Sequence, residues 1–139
     1  ARLGWDTKLL ATDISEKVLV EAKKGIYSRE EVALLPERWK HDYFHPHGMN
    51  QYEVKPKIKN EVVFRRFNLM DPFPFKKKFH VIFCRNVMIY FDASTRMQLI
   101  HKFYDSLVPG GYLFIGHSET IQRDPTKFKY VMPAVYRKE

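Results

Sequence analysis

Polar side chains follow the carboxyl ends of three apolar segments of this chain. Asp13 closes the first segment, and Asn68 follows the second. Arg85 and Asn86 come directly after the third, Phe79–Cys84. In open α/β sheets, ligands bind in the crevice outside the carboxyl ends of the strands. Because packing alone does not explain a buried strand that ends in an arginine and an amide, these positions are predicted to form a ligand site.

Each of these side chains suits part of a nucleotide-like ligand. The carboxylate of Asp13 can accept hydrogen bonds from both hydroxyls of a ribose. The amide of Asn68 can both donate to and accept from an adenine edge while Leu69 packs on the ring. The Arg85 guanidinium can pair with a carboxylate, and the Asn86 amide can contact the backbone of a ligand. Two alternatives stay open, in which Asp13 caps the next helix and Asn68 forms a turn.

Two further residues near the third segment need an interpretation. Tyr90 follows Arg85 by five positions, where it is either a ligand contact or a buried structural tyrosine. Cys84 is the single cysteine, so the chain offers it no disulfide partner and no second thiol for a metal-ligand pair. We expect Cys84 to be a small buried hydrophobe at the strand end rather than a reactive thiol.

Histidines and one short polar run raise two other chemistries. His41, His45 and His47 lie close in sequence, but no further cysteine or carboxylate cluster stands at metal-ligand spacing, so no metal is predicted. The run 116–119, Gly-His-Ser-Glu, contains the residue types of a hydrolytic triad. Neighbouring residues of one segment cannot adopt triad geometry, and no nucleophile elbow is present, so a hydrolase is not expected.

Composition indicates one globular domain, whose positive charge is either solvated loop charge or a surface for acidic partners. The chain has 139 residues, of which 45% are hydrophobic and 29% charged, and a formal charge of +8. Its lysine-rich runs 55–59 and 76–78 lie in turn-like segments without a nucleic-acid-binding fingerprint. A nucleic acid is therefore not expected as a partner. No apolar stretch reaches the roughly 20 residues of a membrane span, and no signal peptide is visible. A cytoplasmic protein is therefore expected.

Strands alternating with helices predict a mostly parallel sheet with helices on both faces, closed by an antiparallel pair. Ser15 is the predicted N-cap of a helix that ends at Gly25. In chain order the first predicted elements are a strand over 8–14, a helix over 16–24 and a second helix, which a capping box at Ser28 begins and which has Leu34, Leu35 and Trp39 on its apolar side. Hairpin-like chain over 43–60 and strands over 61–69 and 79–84 follow. The last predicted elements are a helix over 93–107 ended by 109–111, a strand over 112–116, and a closing pair at 128–132 and 134–136.

Five short motifs of this chain occur together in one known family. They are Ala-Thr-Asp-Ile at 11–14, Gly-Ile-Tyr at 25–27, Phe-Asn-Leu at 67–69, Ile-Phe-Cys-Arg-Asn-Val-Met-Ile-Tyr-Phe at 82–91 and Gly-His-Ser-Glu at 116–119. With them the chain resembles, over nearly its whole length, the chemotaxis receptor glutamate methyltransferases, the CheR family. The resemblance implies a class I S-adenosylmethionine-dependent methyltransferase fold, α/β and Rossmann-like, with an added antiparallel insertion. The implied enzyme methylates glutamate side chains of chemoreceptors during chemotactic adaptation.

The same resemblance implies roles for the strand-end residues. The cofactor is S-adenosylmethionine, and the product is S-adenosylhomocysteine. Arg85 and Tyr90 are implied to be catalytic, with Arg85 aiming the acceptor carboxylate and Tyr90 close to the transferred methyl group. The implied cofactor contacts are Asp13 at the ribose, Asn68 and Leu69 at the adenine, and Arg85 and Asn86 on the S-adenosyl side.

Residues 43–60 match a small antiparallel insertion of the family, a hairpin subdomain within the catalytic domain. In some members this insertion docks the C-terminal peptide of the receptor as an added strand. The Gly48 loop and residues 52–54 could do the same here, and a packing hairpin without a ligand is an equal alternative. The implied partners are the cytoplasmic domains of chemoreceptors, with their C-terminal peptide at residues 43–60.

In the family, a helical N-terminal domain, a first strand and a glycine-rich loop precede the region that this chain resembles. We therefore expect residues 1–139 to be a partial catalytic domain that binds cofactor weakly alone, or one whose sheet is completed by a second copy in a homodimer. One alternative to a receptor methyltransferase stays open, a non-catalytic methyltransferase-like module that binds receptor tails. A class I methyltransferase that acts on RNA or a small molecule lacks support, because residues 84–87, Cys-Arg-Asn-Val, match the receptor-modifying family far better.

Overall fold

The computed structural model describes residues 7–117, 119 and 127–139. They fall into two compact units, Ala1–Asn68 and Leu69–Glu139, and each unit builds a parallel strand pair of its own. The predicted α/β class is confirmed. Across the described residues, no helix combines the length and the apolar character that crossing a membrane requires.

The first unit contains two small sheets and four helices within its described residues. In chain order its elements are β1 (Leu9–Asp13), α1 (Glu16–Lys24), β2 (Ile26–Ser28), α2 (Arg29–Val32), α3 (Glu37–Tyr43), β3 (Phe44–His47), β4 (Gln51–Val54), α4 (Pro56–Lys59) and β5 (Val62–Arg66). Strands β1 and β5 pair in parallel, with Asp13 opposite Arg66. The carboxyl ends of these two strands therefore lie side by side.

Helix α1 begins and ends at the residues that its sequence predicts. The Ser15 hydroxyl accepts a hydrogen bond from the backbone N–H of Val18 at 3.2 Å, which satisfies one of the unpaired donors of the first turn. Gly25 ends the helix in the left-handed conformation, with φ of 63°. Leu19 is the buried residue of this helix.

Strands β2, β4 and β3 form an antiparallel sheet, in that order. Glu53 on the central strand accepts a hydrogen bond from Lys59 at 2.9 Å and lies 3.4 Å from Nε2 of His45. The Lys59 ammonium group holds the pKa of the Glu53 carboxyl below its usual range, with smaller contributions from His45 and His47. Lys59 thereby ties α4 to the middle of this sheet.

The expected helix from Ser28 through Trp39 is wrong. The chain forms two short helices there, α2 and α3, and Leu34 and Trp39 are 96% and 51% exposed. Pro36 explains the break, because its ring disfavours helical backbone at the residue before it and it lacks the N–H that a helix interior requires. The capping box is confirmed, with Ser28 and Glu31 exchanging hydrogen bonds of 2.9 and 3.1 Å.

The second unit is a four-stranded sheet with one long helix. Its elements are β6 (Phe79–Cys84), a 3₁₀ turn (Met88–Tyr90), α5 (Ala93–Ser106), β7 (Leu107–Ile115), β8 (Lys129–Met132) and β9 (Val135–Arg137). The strand order is β6-β7-β9-β8, in which β6 and β7 are parallel and the other pairs are antiparallel. The predicted closing hairpin is confirmed.

Apolar residues of α5 and β7 form the core of this unit. Asp92 begins α5, since its carboxylate accepts from the Thr95 N–H at 2.8 Å, and this bond lowers the pKa of that carboxyl. Alternate residues of β7 point toward the helix, as expected for a strand with one buried face. The core residues are Cys84, Met88, Leu99, Ile100, Phe103, Leu107, Leu113, Ile115, Phe128 and Tyr136.

The predicted break at 109–111 is also wrong. Helix α5 ends at Ser106, and β7 begins at once with Leu107 and runs through Pro109 and both glycines. The N–H of Gly110 and the carbonyl of Gly111 bond to the backbone of Lys138, so this segment is paired and extended. A Cβ at Gly111 would lie 3.1 Å from the carbonyl oxygen of His80, which explains the glycine at this close approach.

The Lys138 side chain closes the C-terminal end of α5. Its ammonium group donates to the carbonyls of Tyr104 and Leu107, both at 2.9 Å, and lies 4.5 Å from the centre of the Tyr104 ring. The last carbonyls of a helix have no partner within the helix. Lys138 therefore satisfies acceptors that burial would otherwise penalise.

We expect Lys138→Met to lower the free energy of unfolding of the second unit by about 1–3 kcal/mol, because two hydrogen bonds from a charged donor and one cation–π contact are lost. Urea unfolding followed by far-UV circular dichroism measures this change. Lys129→Met is the matched control, since Lys129 forms an exposed ion pair with Glu139, and its replacement should cost less than about 0.5 kcal/mol. Equal effects of the two variants would contradict this role.

Cys84 is a buried core residue, as predicted. Burial raises the pKa of its thiol to about 12, and the negative charge of Glu119 adds to the shift. The folded state favours the protonated thiol. Its contribution to stability is therefore complete below the ordinary pKa of 9.0 and is lost as the pH rises from there through about 12.

At pH 8 we expect the folded chain to react with a soluble aromatic disulfide at least about 100-fold more slowly than the urea-unfolded chain, because both burial and the low thiolate fraction oppose attack. The released thiolate, followed by absorbance, reports the rate. Free cysteine with and without urea controls for the effect of urea on the reagent. Similar rates for the folded and unfolded chain would show that Cys84 is accessible.

Candidate functional site

Asp13 is the last residue of β1, and one of its oxygens already has a partner. Its Oδ1 accepts from the N–H of Ser15 at 2.9 Å, an Asx turn that leads the chain into α1. The N-cap itself is Ser15. Asp13 is half-buried, and Oδ2 makes no hydrogen bond or ion pair within the described residues. A carboxylate held in this way keeps one oxygen available for a hydroxyl ligand.

Asn68 and Leu69 lie just beyond the carboxyl end of β5, and both are half-buried. Asn68 closes the first unit, in the chain that follows the strand next to the one that carries Asp13. Leu69 opens the second unit and packs against its core. The Lys102 ammonium group donates to the carbonyls of 69–71 at 3.1 to 3.2 Å, which fixes the turn at Leu69.

Arg85 and Asn86 follow β6 directly, and both are exposed. Asn86 has φ of 59°, in the left-handed region that residues with a Cβ seldom adopt. The chain reverses here between β6 and the 3₁₀ turn. Residues 85–90 are called the strand-end loop below.

A buried carboxylate holds the strand-end loop. Glu119 is 6% exposed, and its Oε2 accepts from the N–H groups of Gly116 at 2.8 Å and Asn86 at 3.2 Å. Its Oε1 accepts from the N–H of Ile89 at 3.2 Å. One side chain thus joins the end of β7 to two points of the loop after β6.

Gly116 makes room for this arrangement. A Cβ there would collide with the side-chain oxygen of Asn86 and would lie 3.1 Å from both the Asn86 nitrogen and Oε2 of Glu119. Because the colliding partners include backbone and a buried carboxylate, the neighbours cannot move away without breaking the hydrogen bonds just described. The glycine is therefore a steric requirement of the loop.

Tyr90 ends the 3₁₀ turn and is 81% exposed. The alternative of a buried structural tyrosine is wrong. Ile89 beside it is also exposed, whereas Met88 lies in the core. The turn therefore anchors through Met88 and presents Tyr90 outward, in the same loop as Arg85 and Asn86.

The structure gathers the predicted residues into two groups. In the first unit, Asp13 and Asn68 lie at the carboxyl ends of neighbouring parallel strands. In the second unit, Arg85, Asn86 and Tyr90 share one loop at the carboxyl end of β6. Every predicted side chain thus stands at or beyond the carboxyl end of a strand, as the sequence indicated, and its role stays a prediction.

Sequence reasoning missed the part that Glu119 plays. The run 116–119 contributes to the family resemblance and contains the residue types of a triad, but neither observation predicts a structural role for Glu119, and Ser118 lies outside the described residues. The loop N–H groups that donate to Glu119 lie 30 and 33 positions away in sequence, so no local pattern predicts these contacts. Among the described histidine, cysteine and acidic residues, no cluster could hold a metal ion.

Comparison with known proteins gives one consistent family. The family described as CheR methyltransferase, SAM binding domain, matches residues 1–136. A chemotaxis protein methyltransferase of Borreliella burgdorferi is 49% identical over 138 residues, which cover 99% of this chain and 48% of the relative. Chemotaxis protein methyltransferase Cher2 of Pseudomonas putida is 39% identical over 132 residues, which cover 94% of this chain and 48% of the relative.

A solved glycopeptide N-methyltransferase, MtfA complexed with S-adenosylmethionine, aligns with a TM-score of 0.47 and 18% identity, over 81% of this chain and 35% of that one. The chain spans about half the length of the curated relatives it matches. Because the family match extends over nearly all of the sequence and includes the strand-end residues of both units, this chain belongs to the CheR methyltransferase family and corresponds to its SAM-binding domain.

Proposed function

We propose that the protein carrying this chain is a protein-glutamate O-methyltransferase that uses S-adenosylmethionine to methylate chemoreceptors in the cytoplasm. The observation that supports this most strongly is the family match over residues 1–136, which includes every residue predicted to contact cofactor or acceptor. The chemotaxis methyltransferases that resemble the chain point to the same process. We take residues 1–139 to be part of the catalytic domain.

The described residues fit this cofactor. Asp13 keeps an oxygen for the ribose hydroxyls, and its half-buried position limits competition from water. We propose Asn68 and Leu69 as the adenine contacts, because an amide can read a base edge and an aliphatic side chain can cover a ring. Arg85 and Asn86 are proposed to contact the S-adenosyl side, where both side chains are exposed.

Bound S-adenosylmethionine would supply an electrophilic methyl group on a sulfonium sulfur. The residues of this chain are proposed to align the acceptor rather than to move a proton, since a glutamate carboxylate is already ionised near neutral pH. The Arg85 guanidinium would pair with that carboxylate through parallel hydrogen bonds and fix its direction. Tyr90 would stand beside the acceptor because it projects from the same loop.

The antiparallel sheet of the first unit supports a second contact with the receptor. Strand β3 pairs with β4 alone among the described strands, so its other edge can accept hydrogen bonds through backbone carbonyls, while Pro46 has no N–H and the N–H of Phe44 already donates to Lys40. We propose that the C-terminal peptide of the receptor adds to the sheet formed within residues 43–60. A second copy of the chain in a homodimer is the competing occupant of this edge and of the outer edges of β1 and β6, each of which pairs with one neighbour among the described strands.

We expect Asp13→Asn to weaken S-adenosylhomocysteine binding by roughly 10- to 100-fold, because one acceptor oxygen for the ribose hydroxyls becomes a donor. Calorimetric titration of the native-length protein measures this. Asp42→Asn makes the same change in an exposed ion pair of the first unit and should bind like wild type. An unchanged affinity of Asp13→Asn would remove Asp13 from the site.

Arg85→Met should lower kcat/KM for methylation of a glutamate-bearing receptor fragment by roughly 10- to 100-fold, because the charged group that aligns the acceptor carboxylate is lost. The assay counts base-labile methyl esters on the receptor fragment. Arg96→Met, on the exposed side of α5, is the matched control. Wild-type protein that binds S-adenosylhomocysteine without transferring methyl groups would favour the non-catalytic receptor-binding module instead.

A further inference from the structure

We propose that Glu119 is a positioning residue for methyl transfer. Its buried carboxylate sets the conformation of the strand-end loop, and through that loop it sets the direction of Arg85 and Tyr90. This inference rests on the proposed function, because it concerns the aim of two side chains that are proposed to act on the acceptor. The structural part of it can be tested without any activity.

The contacts of Glu119 are made to backbone on three sides. Oε2 bridges the N–H of Gly116 and the N–H of Asn86, and Oε1 accepts from the N–H of Ile89. An ionised carboxylate only accepts hydrogen bonds and has about four lone-pair sites, so it suits a position that offers donors alone. Within the described residues Glu119 has no cationic partner, and the side-chain oxygens accept from these three N–H groups. Its removal would therefore leave buried donors unpaired.

The strand-end loop requires a hydrogen-bond acceptor at Asn86 and at Ile89. Asn86 is held at φ of 59°, and a non-glycine residue keeps that conformation only where its surroundings determine it. Ile89 lies in the 3₁₀ turn, whose first N–H groups lack partners within the turn. Glu119 supplies the acceptor for both residues, one directly after Arg85 and the other directly before Tyr90.

Packing cannot replace this anchor for the two functional side chains. Arg85 is exposed and Tyr90 is 81% exposed, so few neighbours restrict either side chain. The direction in which each one leaves the loop is thus decided by the backbone on either side. A displacement of about 1 Å at a reacting group can cost about 100-fold in rate.

Glu119 is unsuited to direct chemistry. It is 6% exposed, and both of its oxygens accept hydrogen bonds from backbone. A general acid or base must reach the proton that it transfers. The carboxylate therefore acts through the loop, and its loss should change kcat more than it changes the binding of cofactor.

The kinetic test compares Glu119→Gln and Glu119→Asp with wild type in the native-length protein. The Gln side chain replaces one acceptor oxygen by a donor, and the Asp side chain keeps the charge but is one methylene shorter. We expect kcat to fall by about 10- to 100-fold in Glu119→Gln and by less in Glu119→Asp, with KM for S-adenosylmethionine changed less than about 3-fold.

Two matched controls separate positioning from general loss of stability. Glu139→Gln makes the same chemical change in an exposed ion pair of the second unit and should keep wild-type kcat. Lys138→Met removes hydrogen bonds to the carbonyls of Tyr104 and Leu107, neither of which belongs to the loop, and should lower the unfolding temperature without lowering kcat at a temperature where the protein is folded. A kcat that follows the unfolding temperature across all variants would overturn the proposal.

Amide hydrogen exchange tests the contacts independently of activity. In the wild type, the amides of Asn86, Ile89 and Gly116 should exchange at least about 100-fold more slowly than exposed amides, and in Glu119→Gln this protection should fall at all three positions. Fast exchange of these amides in the wild type would overturn the contact geometry, even if the variants do not fold. Lost protection in Glu119→Gln with an unchanged kcat would overturn the positioning role alone. Wild-type protein that transfers no methyl groups would overturn the proposed function, and this inference with it.

Discussion

Each of the two units is organised around one parallel pair of strands. Two parallel neighbours must end at the same edge, and the chain must then leave that edge through a loop or a helix N-terminus. In the first unit this places Asp13 next to the chain that leads to Asn68. In the second unit it places the end of β6 next to the end of β7, close enough for Glu119 to bridge them. The ends of parallel strands therefore place polar side chains beside backbone N–H groups that have no partner in the sheet, and both can bind a ligand.

The elements that the sequence predicted well are those determined by local chemistry. Helix α1 has a serine cap, an apolar spacing and a terminal glycine, and the structure uses all three. Strand β6 is a continuous apolar run that ends in a charged residue, and its bounds match the prediction. The same local reasoning located the polar strand ends, because an apolar run and the side chain that follows it are neighbours in sequence. Their chemical roles came from family resemblance instead.

The features that the sequence did not predict depend on contacts with residues far away in the chain. Residues 107–111 carry a proline and two glycines, which locally favour a turn, yet backbone bonds to Lys138 draw them into a strand. Strand β2 forms because β4 pairs with it, and the sequence of β2 itself does not predict that pairing. Glu119 belongs to the same class, since its donors at Asn86 and Ile89 lie 33 and 30 positions away. Tertiary contacts of this kind override local preference and leave little trace in a single sequence.

The position of Cys84 has a consequence for chemical selectivity. A thiolate is a far better nucleophile toward an alkylating group than a carboxylate is, and this chain carries its single thiol directly before Arg85. With a pKa of about 12, that thiol is protonated at any physiological pH, and it faces the core. The folded chain therefore offers no accessible thiolate to an alkylating group. Alkylation at Cys84 is suppressed by the same apolar packing that stabilises the sheet.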